Sequence, residues 1–180
     1  MIQLPLPAME GLATERLRFR RLTNADRTWW SGFLDQSEAL RYLFMQPGDP
    51  ANVVTWFERA FHRYQEFGTG LMVVEDRGTG EALGQCGLLV QEVEGVWELE
   101  IGYHFMPAHW GKGYATEAAR ACMDFAAQHR LNTSVISLIH PDNLRSRAVA
   151  LRNGLVFERS TSWRGHSVEV YRCSTEAGAH

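Results

Sequence analysis

The sequence predicts an α/β (α+β) domain in which about four helices flank about seven strands. Three observations carry this. Apolar periodicity alternates between a two-residue and a helical repeat along the chain, with no internal repeat and no linker long enough to divide it. Three strand-like runs stand in a row between Leu71 and Phe105. A glycine turn, Gly111-Lys112-Gly113, then opens directly into an alanine-striped segment.

Each element has a local reason. Leu17 to Leu22 alternates apolar and basic residues, as a half-buried strand does. Thr23-Asn24-Ala25-Asp26 offers N-cap chemistry for a helical region carrying Trp29, Trp30, Phe33 and Leu34, with uncertain breaks up to the loop Pro47-Gly48-Asp49-Pro50. Val53, Phe57, Ala60, Phe61 and Tyr64 form the stripe of a second helix. Leu71 to Glu75 turns through Asp76-Arg77-Gly78-Thr79-Gly80 and returns antiparallel as Ala82 to Val90. From Trp97 to Phe105 the odd positions (Trp97, Leu99, Ile101, Tyr103, Phe105) share one face and Glu98, Glu100, Gly102 and His104 the other. Ala115, Ala118, Ala119, Cys122, Phe125 and Ala126 stripe a helix from Tyr114 to about His129, with side chains small enough for close approach to a sheet. Val135 to Ile139 is nearly continuously apolar, as in the middle of a covered sheet. A short helix from Pro141-Asp142-Asn143 to Arg152 closes at Asn153-Gly154, and strands at Leu155–Arg159 and Ser167–Arg172 pair across Arg164-Gly165-His166.

Composition narrows the function. The 180 residues, 45% hydrophobic and 22% charged, suffice for a self-supporting core. A net charge of -3 argues against a nucleic-acid partner held by phosphate contacts. Cys86, Cys122 and Cys173 are odd in number and widely spaced, which fits reduced thiols in a cytoplasmic protein. The seven histidines form no cluster of zinc spacing, so no metal site is expected. Met1 to Gly11, with Pro5 and Pro7, lacks a basic n-region and reads as an N-terminal extension rather than a signal peptide. No apolar run reaches the length of a membrane span. A single domain is expected over 12–173, followed by a small, polar, disordered tail at 174–180.

The glycine turn is the first candidate for chemistry. Gly111 and Gly113 permit a sharp turn and close ligand approach, and the free N–H groups of the next helical turn with the helix dipole make an anion site, to which Lys112 can add charge. A plain turn is the competing reading. The stretch fits neither a P-loop, since Tyr114 follows Gly113, nor a dinucleotide fingerprint, since no third glycine follows.

Motif order resolves the choice. "LATERLRFRRLTNAD" (12–26), "ELEIGYHFMPAHWGKGYATEAA" (98–119) and "HPDNLRSRAVALRNGLVFE" (140–158) together resemble the GNAT acyltransferases, most closely their RimJ/RimL-like branch. The resemblance implies the GNAT fold: a mixed central sheet, mostly antiparallel, with a splayed parallel pair formed by the strands at 97–105 and 135–139. It implies acetyl-CoA as co-substrate, with Trp110, Gly111, Lys112, Gly113, Tyr114, Ala115 and Thr116 around its pyrophosphate and the backbone of Glu100, Ile101, Gly102 and Tyr103 along its pantetheine arm. The family loop Gln/Arg-x-x-Gly-x-Gly/Ala reads Trp110-x-x-Gly113-x-Ala115 here. Asn143 matches the asparagine that bonds the pantetheine region, with an N-cap as the competing reading, and Ser146 matches the serine of the Asn-x-x-Ser signature.

Direct amine acetylation needs a group to take the ammonium's proton, a donor for the oxyanion and an acid for the leaving thiolate. Glu100 is the candidate base; Glu98 and His104 share its face, and all three have a solvated-face alternative. Many family members carry a catalytic tyrosine seven residues after the asparagine, where this chain has Ala150. Ser146 is the inherited candidate for that role. Tyr103 is a possible substrate neighbour or a core residue, and one or two of Trp29, Trp30, Tyr42 and Trp56 can wall the acceptor site. The expected function is N-acetylation of a small-molecule amine or a protein N-terminus by a monomer or homodimer, without nucleic-acid or membrane partners. The alternative is a CoA-binding module without turnover. Glu92, Glu94 and Glu98 hint at an acidic wall that would favour cationic acceptors.

Overall fold

The computed structural model describes residues 2–175. Its strands are β1 (Leu17–Arg20), β2 (Leu71–Asp76), β3 (Ala82–Val93), β4 (Val96–Phe105), β5 (Ser134–Ile139), β6 (Val156–Trp163) and β7 (His166–Ser174). Its helices are α1 (Arg27–Leu34), α2 (Ser37–Leu40), α3 (Pro50–Phe67), α4 (Tyr114–Gln128) and α5 (Leu144–Arg152), with short 3-10 turns at Asn24–Asp26 and Pro107–His109. The strands form one sheet in the order β1-β2-β3-β4-β5-β7-β6. All described pairs are antiparallel except β4 with β5. The expected mixed sheet with one parallel pair is therefore present.

The sheet has a layer on each face. On one side α4 lays Ala118, Ala119, Cys122 and Ala126 against Leu88, Val90, Leu99, Ile101 and Phe105. Four small residues on one helical stripe let its backbone approach the strands closely. On the other side α1, α2 and α3 enclose Leu22, Trp30, Phe33, Leu34, Leu40, Phe57, Ala60 and Val73. α3 starts where Asp49 accepts from the Ala51 N–H at 2.9 Å with Pro50 at its first position, and stops at Gly68 in the left-handed region. Ahead of α1, Asp26 closes a capping box with Thr23 and is gripped by Arg20 at 2.7 and 2.9 Å.

Several expectations are corrected. The helices number five among the described residues, because Asp35-Gln36 interrupts the Trp-rich helical region. β6 and β7 run further than their apolar letters, to Trp163 and from His166; their turn is Arg164-Gly165 alone, both at positive φ as a primed hairpin turn requires. β7 extends to Ser174, and Thr175 donates its N–H to the Thr133 carbonyl, so these two residues do not belong to the expected tail; residues 176–180 lie outside the described residues. In the N-terminal extension, Leu6 and Met9 are core residues. Trp97 departs from its apolar face-mates: it is 55% exposed at the outer end of β4. Glu98 is no solvated-face residue: it is 7% exposed and holds Arg172 of β7 through two contacts of 2.6 and 3.0 Å.

Between β2, β3 and β4 the backbone approach is closest at Gly87, which is registered with Leu71 and Gly102. A Cβ there would sit 2.1 Å from the Gly70 carbonyl oxygen. Gly87→Ala is therefore expected to cost about 1–3 kcal/mol by overpacking, read as a lower urea midpoint at unchanged m-value; an unchanged midpoint would contradict the packing described.

Candidate active site

β4 and β5 share a single registered pair, Glu100 with Ile136. Beyond it the Ser137 hydroxyl donates to the Ile101 carbonyl at 3.0 Å, where a parallel ladder would have placed a backbone N–H. A cleft of about 1980 Å³ opens here, lined in its centre by Ile101, Gly102, Tyr103, Ser137 and Leu138.

One end of the cleft is the glycine turn. Trp110 anchors it: its indole N–H donates to the Phe105 carbonyl at 2.7 Å, and the Arg145 guanidinium lies 4.4 Å from its ring centre. Gly111 (φ 76°) and Gly113 (φ 83°) then turn the chain into α4, with Gly113 as N-cap. Gly111, Gly113, Tyr114, Ala115 and Thr116 all line the cleft. The first-turn N–H groups of a fifteen-residue helix lack intrahelical partners and point along its positive end. Glu117, in that same turn, would oppose an anion, but the N-terminal segment ties it back. Thr14 Oγ1 and Arg16 Nε donate to it at 2.5 and 2.6 Å, and Arg16 also donates to the Lys112 carbonyl at 3.0 Å. Desolvation raises the Glu117 pKa, but those bonds outweigh it and hold the carboxyl below its usual range. The Lys112 side chain is exposed and engages the site only through its carbonyl.

The expected catalytic face is assembled by register. In the antiparallel pair β3/β4, Gln85, Gly87, Leu89 and Gln91 stand on the same side as Glu98, Glu100, Gly102 and His104. Glu100 is 8% exposed. The Gln91 side-chain amide donates to Glu100 Oε2 at 2.8 Å, and Arg63 of α3 donates to Gln91 Oε1 at 3.2 Å. Burial pushes the Glu100 pKa up, against the pull of Gln91, Arg63 and the Leu138 N–H. His104 packs edge-on against Phe33 and Trp56, and burial, reinforced by Arg63, brings its pKa down to about 4. It is thus neutral near pH 7.

α5 supplies the opposite wall. Asn143 caps it, Oδ1 accepting from the Ser146 N–H at 3.1 Å, so the competing N-cap reading is realised, and the residue also lines the cleft. Ser146 also lines the cleft, and its carbonyl accepts from the Tyr103 hydroxyl at 2.8 Å. Tyr103 is half-buried and its pKa is raised by burial, so the phenol stays protonated at neutral pH. Ala150 is buried and presents no polar group in place of a tyrosine. Trp56 lines the cleft, with its indole N–H on Gln85 Oε1 at 3.1 Å, and Tyr42 stacks near His140; Trp30 is core.

Sequence reading missed Ser137, Gln91, Arg63 and Arg16. Gln91 carried a signal: it keeps the two-residue step of Gln85, Gly87 and Leu89, just past Val90 where the sequence reading ends that strand. The other three are placed by tertiary register and carried none.

Valine at position 113 would place a β-branched residue at φ 83° with its Cβ 3.4 Å from the Arg16 guanidinium. Gly113→Val is expected to fold, with strain of about 1–3 kcal/mol, and to lose stabilisation by CoA. For the unaltered chain, CoA at about 100 times Kd adds about 2.7 kcal/mol. Full CoA stabilisation of the variant would show that the turn does not hold the anion.

Known proteins bear on this geometry. Residues 16–156 match the family described as Acetyltransferase (GNAT) domain. YkkB of Bacillus subtilis strain 168 is 33% identical over 164 residues, covering 91% of this chain and 95% of its own. The crystal structure of an acetyltransferase from Agrobacterium tumefaciens strain C58 superposes with a TM-score of 0.79 at 28% identity, covering 96% of this chain and 97% of that one. Mycobacterium smegmatis RimJ, solved with CoA-disulfide, shares the fold at a TM-score of 0.70 and 21% identity, covering 88% of this chain and 81% of its own. The glycine turn at the head of α4, the single-pair junction of β4 and β5 and this match over most of the chain agree: the protein belongs to the GNAT acetyltransferase family and is an acyltransferase.

Proposed function

We propose that the protein acetylates a primary amine, of a small molecule or a protein N-terminus, by direct attack on acetyl-CoA with Glu100 as the general base. The observation that carries this is a buried carboxyl at the one point where β4 and β5 still pair, beside a cleft that reaches the α4 N-terminus. The N–H groups from Gly111 to Thr116 suit a pyrophosphate, and the unpaired backbone past Glu100 suits the amides of a pantetheine arm. Asn143 can donate to the same arm. The RimJ structure with CoA-disulfide supports this reading by analogy of fold. Acetyl-CoA supplies an activated acyl group; the chain supplies position and proton transfer.

Glu100 removes the ammonium's proton, directly or through a water. Burial favours its neutral form and so strengthens the carboxylate as a base, while Gln91 fixes its orientation. Backbone N–H groups of β4 are the natural donors to the developing oxyanion. On the α5 side, the Ser146 hydroxyl and the Tyr103 phenol, whose proton rests on the Ser146 carbonyl, are the two candidates to return a proton to the leaving thiolate. Three free cysteines, two of them buried with sulfurs 3.6 Å apart, fit a reducing cytoplasm. No helix among the described residues is long and apolar enough to cross a membrane.

The reading without turnover rests on Ala150, where many family members carry the acid. Glu100→Gln separates the two. It keeps the Gln91 contact and removes the base, so kcat is expected to fall about 10²- to 10³-fold with CoA stabilisation unchanged. A carboxyl whose pKa is raised by folding favours the folded state below its unfolded pKa and loses that contribution as pH rises through the folded value. The variant's melting temperature relative to the unaltered chain is therefore expected to rise between acid and neutral pH. Full kcat in Glu100→Gln would remove Glu100 as base; absence of turnover by the unaltered chain on every amine offered would leave the binding module.

A further inference from the structure

The acceptor end of the cleft is basic, although the chain as a whole carries a net charge of -3. Eight arginines line the cleft against five carboxylates. At the glycine turn Arg16 is paired with Glu117 and Arg145 with Glu38, while Arg120 and Arg152, on the two helices beside it, have no carboxylate partner among the described residues. Around Glu100 three more arginines lack one. Arg59 and Arg63, one helical turn apart on α3, stand with Arg164 at the β6–β7 turn on the same stretch of wall. None of the three forms an ion pair with a carboxylate among the described residues. Arg63 binds only the neutral amide of Gln91, and Arg164 is propped 4.4 Å over the Trp163 ring.

The expected acidic wall does not exist at this place. Glu98 is consumed by Arg172, and Glu94 is held by Arg159 at 3.0 Å. Glu92 is exposed and, with Glu94, lines a separate groove of about 500 Å³ that shares the three arginines at its border. The acid facing the guanidiniums inside the cleft is Glu100, which must end the cycle of proton transfer without a permanent counter-ion role.

We propose that the acceptor is an anionic amine: a molecule whose attacking amino group accompanies a carboxylate or phosphate held by Arg63, Arg164 and Arg59. This rests on the proposed acetyl transfer at Glu100. Arg20 and Arg172, which have carboxylate partners, are held above their usual pKa; Arg63 and Arg164 are held below it, first by burial, with Arg164 and Arg59 adding to the effect on Arg63 and Arg59 to that on Arg164, against the pull of Glu100. A guanidinium pair fits a carboxylate in bidentate fashion. A polyamine would instead meet like charge.

The test compares acceptors matched in everything but charge: free glutamate against its diamide, and a tetrapeptide of alanine followed by glutamates against alanine followed by lysines. The first pair probes a small molecule and the second a protein N-terminus. The anionic member of at least one pair is expected to show kcat/KM at least about tenfold higher, since a charged hydrogen bond is worth that much, and to lose the advantage at high salt. Arg164→Gln, at an exposed turn, should raise KM for the anionic acceptor with kcat retained; Arg63→Gln should raise KM more strongly and lower kcat as well, because Arg63 also holds the Gln91 amide that orients Glu100. Equal or better turnover of the neutral and lysine acceptors overturns the proposal while leaving acetyl transfer intact. The N-acetylated forms of the same four probes give a readout free of turnover: on the CoA-loaded protein the anionic ones should raise the melting temperature and the others should not. If no probe is acetylated, that shift still decides the arginine wall, and its absence overturns the proposal.

Discussion

The structure depends on one broken ladder. β4 and β5 are parallel neighbours in the middle of a seven-stranded sheet, yet they keep a single registered pair at Glu100 and Ile136. A buried backbone group needs a partner, so an interruption at the centre of a sheet is costly unless something fills it. Ser137 answers part of that demand from within, by its hydroxyl on the Ile101 carbonyl. The remainder is available to a ligand with amides of its own. The layers around the break then follow: α4 closes one face and ends its dipole at the cleft, α3 closes the other and brings Arg59 and Arg63, and α5 forms the rim with Asn143 and Ser146.

The same break explains why Glu100 is buried and poised. It is the last residue that still pairs, so its side chain is enclosed by β3 and α3 on one side while the cleft begins on the other. Gln91 steadies it without adding charge, and Arg63 acts on it through that amide. A direct ion pair would hold the proton off too strongly for the base proposed at this position. The arginines left over line the cleft on the side proposed for the acceptor. At the glycine turn Arg16 and Arg145 have carboxylate partners, while the arginines beside Glu100 have none among the described residues.

Much of this was legible in the sequence. The strands, the alanine-striped helix and the glycine turn are local patterns, each set by periodicity or by positive φ, and the motif order identifies the family. Glu100 was legible from the alternation of β4. For Glu98 the solvated-face alternative fails, because nothing in its own strand reveals Arg172, which reaches it from β7 across β5. The acidic appearance of Glu92, Glu94 and Glu98 failed for the same reason: a run of charge has no meaning until its partners are known. Trp97 shows the converse, an apolar letter on the right face that the fold leaves 55% exposed, with Phe67 as its ring neighbour. The role of Arg16, more than ninety positions before the turn it steadies, is purely tertiary.

The central claim is that the gap between β4 and β5 receives the acyl donor. Amide hydrogen exchange with and without CoA measures it directly. The account predicts added protection at two separate places, the amides of Gly111 to Thr116 and those of Ile101 to Tyr103, with the β6–β7 hairpin unchanged. Protection confined to the glycine turn, or absent from both, would contradict it.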